Sequence, residues 1–153
     1  DRALQCFANT VRHAVRGGDV LARWGGEEFV LLLSDMNASA AHQLLERIGH
    51  AVSQAVVPDA PAELRMTVST GLTLHQPGES ISTTLERADH ALYSAKHQGR
   101  NCVVLADLQA PADPSPPQPL PPSPPMAPAG LGPVLLQMPA PAPPPATAPA
   151  TTH

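Results

Sequence analysis

Apolar side chains recur along the first two thirds of the chain at spacings that change from helical to strand-like and back. Leu4, Phe7, Ala8, Val11, Ala14 and Val15 follow the i, i+3, i+4, i+7 rule, which predicts an amphipathic helix running to Arg16 and stopped by Gly17-Gly18. DVLARW and FVLLL then flank Gly25, Gly26, Glu27 and Glu28, and two short apolar runs around a Gly-Gly turn predict a β-hairpin. FVLLL does not alternate, so both of its faces are expected to be covered. Between Asn37 and Val56 the set Ala41, Leu44, Leu45, Ile48, Val52, Ala55 and Val56 is helical again, with Asn37 or Ser39 as N-cap and Pro58 beyond its end. RMTVSTGLTL, residues 65–74, is rich in β-branched side chains and predicts a strand in which Gly71 marks a bulge or a close backbone approach.

The segment TTLERADHALYSAKHQG places Thr83 and Glu86 at capping-box spacing and Gly99 at a C-cap. Leu85, Ala88, Leu92 and Ala95 share one face, and Tyr93 is assigned to the core with them. NCVVLA closes the series as a short strand. The order helix, hairpin, helix, strand, helix, strand predicts an α+β domain, a sheet with helices packed on it.

Composition divides the chain near residue 110. Of its 20 prolines, 17 lie between Pro111 and Pro149, where Asp113 is the only charged side chain. A tract so rich in Pro and Ala is expected to be disordered, with polyproline II character. The chain thus has two units: a folded part, 1–109, and a disordered tail, 110–153. The net charge of −4 and the lack of a basic block argue against a nucleic-acid partner. Cys6 and Cys102 are far apart without metal-ligand spacing, and the histidines form no HxH or HExxH pattern, so two reduced thiols in a cytoplasmic protein are the expectation. No apolar run approaches the ~20 residues of a membrane span. The start, DRALQCF, carries no signal-peptide pattern and reads as an internal point of a longer chain.

The candidate chemistry lies in RWGGEEFVLLL, residues 23–33. A Gly-Gly pair lets backbone N–H groups approach phosphate oxygens, although a tight turn needing positive φ is the commoner reason for such a pair taken alone. Two adjacent carboxylates shift the balance, because like charges repel and a turn selected for stability more often carries Asn or Asp. Mg²⁺ takes one or two carboxylates plus substrate phosphates. Neighbours on a regular strand point to opposite faces, so Glu27, nearer the glycines, is assigned as metal ligand or base and Glu28 as the supporting carboxylate.

This stretch resembles the signature hairpin of the GGDEF domain, the diguanylate cyclase family, in its GGEEF form. ERADHALYSAKHQGRN resembles the family's late helix, TVSTGL resembles the strand before it, and the likeness covers residues 1 to about 106. It implies a nucleotidyl-cyclase, palm-like (ferredoxin-like) architecture with a mostly antiparallel mixed sheet. The implied reaction condenses two GTP into cyclic di-GMP with Mg²⁺ or Mn²⁺, each GTP held by one subunit of a homodimer. Residue by residue, the resemblance implies that Gly25, Gly26, Lys96 and Arg100 contact phosphates and that Asp1 recognises guanine. It also implies that Glu27 and Glu28 serve catalysis and the metal. Lys96 and Arg100, four apart, are expected on one face of the late helix. Arg16 and Asp19 spell RxxD ahead of Gly25 and resemble the family's site for inhibitory cyclic di-GMP, to which Arg47 adds a second arginine.

The family pattern has already run through a strand and a helix before Asp1, so a central strand and a metal carboxylate are expected to be absent. An upstream sensor is expected in the full-length protein. Taken alone, this chain is expected to be inactive and marginally folded, with FVLLL uncovered on one edge. Two other readings compete: a non-catalytic receptor binding cyclic di-GMP through Arg16 and Asp19, and an adaptor whose prolines recruit SH3-like or WW-like modules.

Overall fold

The structure, a computed structural model, describes residues 2–61, 64–107 and 131–137. Its elements run α1 (Arg2–Ala14), β1 (Val20–Gly25), β2 (Glu28–Ser34), α2 (Ala38–Gln54), β3 (Ser69–Leu72), α3 (Ile81–His97), β4 (Val103–Leu105) and β5 (Leu131–Gln137). The expected α+β order is present through β4.

One five-stranded sheet carries the order β1-β2-β5-β3-β4. β1 and β2 form the antiparallel hairpin, β5 lies antiparallel to both β2 and β3, and β4 runs parallel to β3. β2 shows why FVLLL is continuous. Phe29, Leu31 and Leu33 enter a large cluster with Phe7 and Val11 of α1 and Leu44, Leu45, Ile48 and Val52 of α2, whereas Val30 joins Ala88 and Leu92 of α3. Alternate residues of one strand thus face two helical layers. The rings of Phe7 and Phe29 meet with centroids 4.9 Å apart, which fastens α1 to the hairpin.

Local chemistry sets the helix ends. Asn37 caps α2, its side-chain oxygen accepting from the N–H of Ala40 at 2.8 Å. For α3 the expected Thr83–Glu86 box is replaced by a cap one turn earlier: Ser80 Oγ accepts from the N–H of Thr83 at 3.1 Å, and the helix starts at Ile81. Ser80 has the short hydroxyl that a cap needs and sits where the chain is still extended, so it captures the orphan donor first. Gly99 follows the C-cap Gln98 with φ of 109°, as a residue leaving a helix through left-handed space does. Tyr93 departs from expectation. It is 63% exposed and stacks on His97 with centroids 4.0 Å apart, so the helix face it occupies is solvent-facing and not core.

Of the segment 110–153, expected to be a disordered tail, one stretch is described. Leu131–Gln137 forms β5, while residues 108–130 and 138–153 lie outside the described residues. Within 110–153 the run Val134-Leu135-Leu136 is the only one of three successive aliphatic residues, and it contains no proline. Averaging over the tract hides it. β5 also overturns the expected open edge, because β2 has a partner along its whole length, from Glu28 opposite Gln137 to Ser34 opposite Leu131.

A partly buried ion pair ties the loop after β3 to α3. The Arg87 guanidinium donates to both oxygens of Glu79, to Leu74 O at 2.7 Å and to Thr73 Oγ1 at 3.2 Å, with side chains only 15% and 12% exposed. Its hydrogen bonds and charge, with help from the Gln76 N–H and the Thr84 hydroxyl, hold the Glu79 carboxyl at about 2 against an ordinary 4.5, even though burial pushes the other way. A depressed folded-state pKa gives stability that is complete above the unfolded value and lost as pH falls from about 4.5 toward 2. Melting temperature measured against pH is expected to fall more steeply through that window in the native chain than in Glu79→Gln, with parallel curves the contrary result. Arg87→Met, which leaves a partly buried carboxylate without its cation, is expected to cost about 2 kcal/mol at neutral pH.

Candidate functional site

The glycine and glutamate positions of residues 25–28 sit at the tip of the hairpin. Gly25 ends β1 opposite Glu28, which begins β2, leaving Gly26 and Glu27 as a two-residue turn. Gly26 has φ of 50°, left-handed space that the first central position of a II′-type turn demands and that a side chain resists. The ladder shifts between Arg23 and Gly25, so Trp24 is an extra residue bulged out of the pairing. Such a bulge bends the strand and re-aims the residues beyond it. Here it sets the approach to the carboxylates. Glu27 and Glu28 are both half-buried, and Gly25 and Gly26 have open space where a Cβ would lie, so the backbone at the tip is accessible to a ligand.

Arg23, which the sequence pattern did not single out, closes this turn. Its Nε and Nη2 donate to Gly26 O at 2.9 and 2.6 Å, a two-pronged contact suited to guanidinium geometry. Its position at i−3 from a glycine turn was the available signal.

A second loop converges on the same end of the sheet. Glu28, Gln137 and Ser69 are cross-strand partners in one row, and Ser69 Oγ accepts from the N–H of Asn101 at 3.1 Å. Two strand spacings, about 10 Å, therefore separate the Glu28 and Ser69 backbones. Lys96 lies in the last turn of α3, partly buried. Arg100 is not on the helix as expected. Gly99 turns the chain out, Arg100 N–H returns to Ala95 O at 3.0 Å, and Arg100 and Asn101 hold φ of 62° and 50°. Two successive left-handed non-glycine residues are strained, and such strain clusters where a side chain must be aimed. Asp1 lies outside the described residues.

The RxxD residues occupy the opposite end of the hairpin. The Asp19 carboxylate accepts from Arg16 N–H at 2.9 Å with one oxygen and from Ser34 N–H at 3.0 Å with the other, which ties the loop before β1 to the end of β2. Arg16 and Arg47 are both exposed and line one cleft of about 640 Å³ with Met36, Gln43, Glu46 and His50. The structure thus brings together two arginines 31 positions apart. The last three of those cleft residues carried no sequence signal beyond their helical spacing from Arg47.

Among the described residues no cluster of three or more His, Cys, Asp or Glu forms a complete metal cage. Two half-buried carboxylates at an open turn match the way Mg²⁺ is held when substrate phosphates supply further ligands. No described helix is long and apolar enough to cross a membrane.

The profile of the diguanylate cyclase GGDEF domain matches residues 1–102. The chain belongs to the GGDEF family. Diguanylate cyclase DgcM of Escherichia coli K12 is 42% identical over 106 residues, which are 69% of this chain and 25% of that protein. Among solved structures, diguanylate cyclase SiaD in complex with its activator SiaC, from Pseudomonas aeruginosa, superposes with a TM-score of 0.65 at 40% identity. That match covers 69% of this chain and 40% of the other. The coiled coil and GGDEF domain of DgcB from Caulobacter crescentus, in complex with c-di-GMP, gives 0.63 at 32% identity, covering 68% and 56%. The chain spans about a quarter of DgcM's length.

Proposed function

We propose that the GGDEF domain to which this chain belongs condenses two GTP molecules into cyclic di-GMP at the Gly25–Glu28 hairpin. The observation that carries this reading is the convergence of the bulged, glycine-opened carboxylate turn and the strained Arg100 loop at one end of the sheet. Glu27 and Glu28 would hold Mg²⁺ or Mn²⁺, which when bound neutralises charge on the α-phosphate and lowers the pKa of the attacking hydroxyl. Backbone N–H groups of Gly25 and Gly26 cradle the phosphates. Glu27 accepts the proton of the 3′-hydroxyl. Lys96 and Arg100 offset phosphate charge. Asp1 reads guanine. The two GTP molecules come from two subunits, so a homodimer is the working state, joined to an upstream sensor. Among the described residues no third acidic, His or Cys side chain joins Glu27 and Glu28 in a metal-holding group, and the 153-residue chain by itself is expected not to turn over GTP.

The cleft with Arg16 and Arg47 is assigned to inhibitory cyclic di-GMP. Because both Asp19 oxygens already hold backbone N–H groups, Asp19 shapes the loop as well as meeting guanine through its remaining lone pairs. In a chain extended upstream of Asp1 to a whole domain, Arg16→Ala is expected to raise the inhibition constant about thirtyfold without lowering the initial rate, the loss of one charge-assisted forked contact. An unchanged inhibition curve assigns Arg16 to an ordinary surface turn. The receptor reading differs in one respect: it retains cyclic di-GMP binding with no product from GTP.

A further inference from the structure

The loop that carries Arg100 is held by more than a helix end requires. α3 closes as a Schellman turn: Gln98 caps it, Gly99 takes positive φ, and Arg100 N–H returns to Ala95 O at 3.0 Å, the bond that defines the motif. A helix that ends in this way needs only its glycine at positive φ. Here Arg100 and Asn101 follow with φ of 62° and 50°, in a region that side chains resist and that persists only where surrounding contacts over-determine it. Those contacts come from β3. Ser69 Oγ accepts from Asn101 N–H at 3.1 Å, and Thr70 N–H donates to Cys102 O at 2.9 Å as the chain enters β4. The second is a backbone bond that any residue except proline supplies at position 70. The first depends on one buried hydroxyl.

We propose that Ser69 is a positioning residue: its hydroxyl pins Asn101 and so fixes the backbone from which the Arg100 guanidinium reaches a nucleotide phosphate. The proposal rests on the reading of Arg100 as a phosphate contact. Arg100 is exposed, and among the described residues no hydrogen bond or ion pair engages its guanidinium, so its backbone is what restricts where the side chain can go. A long side chain on an unpinned loop loses affinity to the ordering that binding then demands, whereas a pinned loop is ordered before the ligand arrives. Serine suits the position. Its short side chain fits a fully covered strand and still carries an acceptor for Asn101 N–H, whereas alanine keeps nearly the same shape and leaves that donor without a partner. Cys102 Sγ, 3.5 Å from Ala95 O, braces the same loop from the helix side, but a thiol is a weak donor. The stronger side-chain hold is therefore Ser69.

The test uses the upstream-extended protein and a non-hydrolysable GTP analogue with Mg²⁺, binding being read by titration calorimetry. Ser69→Ala is expected to weaken binding about fivefold, a part of the roughly thirtyfold loss expected for Arg100→Ala. Because Ser69 acts through Arg100, adding Ser69→Ala to Arg100→Ala is expected to change the affinity by less than about twofold. The same fold loss from Ser69→Ala in both backgrounds overturns the proposal, since a merely structural role would weaken binding with or without Arg100. A second readout needs no nucleotide. Hydrogen exchange at the Asn101 amide, followed by NMR, is expected to speed up at least about tenfold in Ser69→Ala relative to amides of α1 and α2, and unchanged exchange there overturns the proposal. Failure here is distinct from failure of the reading beneath it. If Arg100→Ala weakens binding and Ser69→Ala does not, this proposal alone falls; if Arg100→Ala binds the analogue as the native protein does, the phosphate role of Arg100 falls and this proposal with it.

Discussion

In a chain extended upstream of Asp1 to a whole GGDEF domain, Glu27→Gln is expected to lower the rate of cyclic di-GMP synthesis by several decades while leaving the melting temperature within a few degrees. The substitution keeps the shape of the side chain and removes its charge and its ability to take a proton. Glu27 sits in the two-residue turn, outside both ladders, and no described hydrogen bond or ion pair depends on its carboxylate. Its loss therefore has little to cost the fold. On the proposed reading it removes a metal ligand and the acceptor for the 3′-hydroxyl proton together, two contributions made in the transition state. Steady-state rates with saturating GTP and Mg²⁺, alongside thermal melting, separate the outcomes. Retention of more than about a tenth of the activity would remove Glu27 from the mechanism.

The second large effect is structural. Gly71→Ala is expected to destabilise the 153-residue chain by about 3 kcal/mol or more. A Cβ at this position would lie 2.1 Å from Ala88 O, 2.5 Å from Leu92 N and 3.0 Å from Leu92 Cα. All three are atoms of the α3 backbone, which cannot swing aside as a side chain does. β3 and α3 must separate, and with them Ala88, Leu92 and the Val30 contact from β2. At roughly 4 °C or more per kcal/mol for a domain of this size, the melting temperature drops by about 12 °C or more. Gly49→Ala supplies the control. Its Cβ would meet Val68 Cγ1 at 3.8 Å, an ordinary contact, in the interior of α2, where Ala is favoured over Gly by about 1 kcal/mol. A Gly71→Ala chain that melts beside Gly49→Ala would show that β3 and α3 are not in backbone contact.

Periodicity made the helices and the hairpin legible because one signal, the face of each element, is written into successive residues. Gly71 was marked as a close approach for the same reason: a glycine among β-branched residues in a strand is out of place unless something sits against it. The boundaries were less legible where two local chemistries compete, as at α3, where Ser80 caps before Thr83 can. Arg100 was placed on a helix by counting four from Lys96, but spacing carries no information once a glycine turns the chain. Glu79 with Arg87 and Arg23 with Gly26 were missed, since a side chain's partner across a loop leaves no periodic trace. β5 was hidden by composition. A tract average of proline and alanine concealed seven residues whose partners on β2 lie about 100 positions earlier.

The candidate site was legible as motif and partly as geometry. The Gly26 conformation follows from its residue type, and Arg16 and Arg47 meet in one cleft. The bulge at Trp24 was not legible, because an extra residue in one arm shows only when the two arms are laid side by side.

The central claim is that the Gly25–Glu28 hairpin serves cyclization of GTP. It is tested most directly by incubating the upstream-extended protein with GTP and Mg²⁺ and quantifying the guanine nucleotides by liquid chromatography and mass spectrometry. The account predicts cyclic di-GMP accumulating with two pyrophosphates released for each molecule formed, and then slowing as product fills the Arg16–Arg47 cleft. A folded, dimeric protein that binds cyclic di-GMP but forms none from GTP would contradict it and establish the receptor in its place.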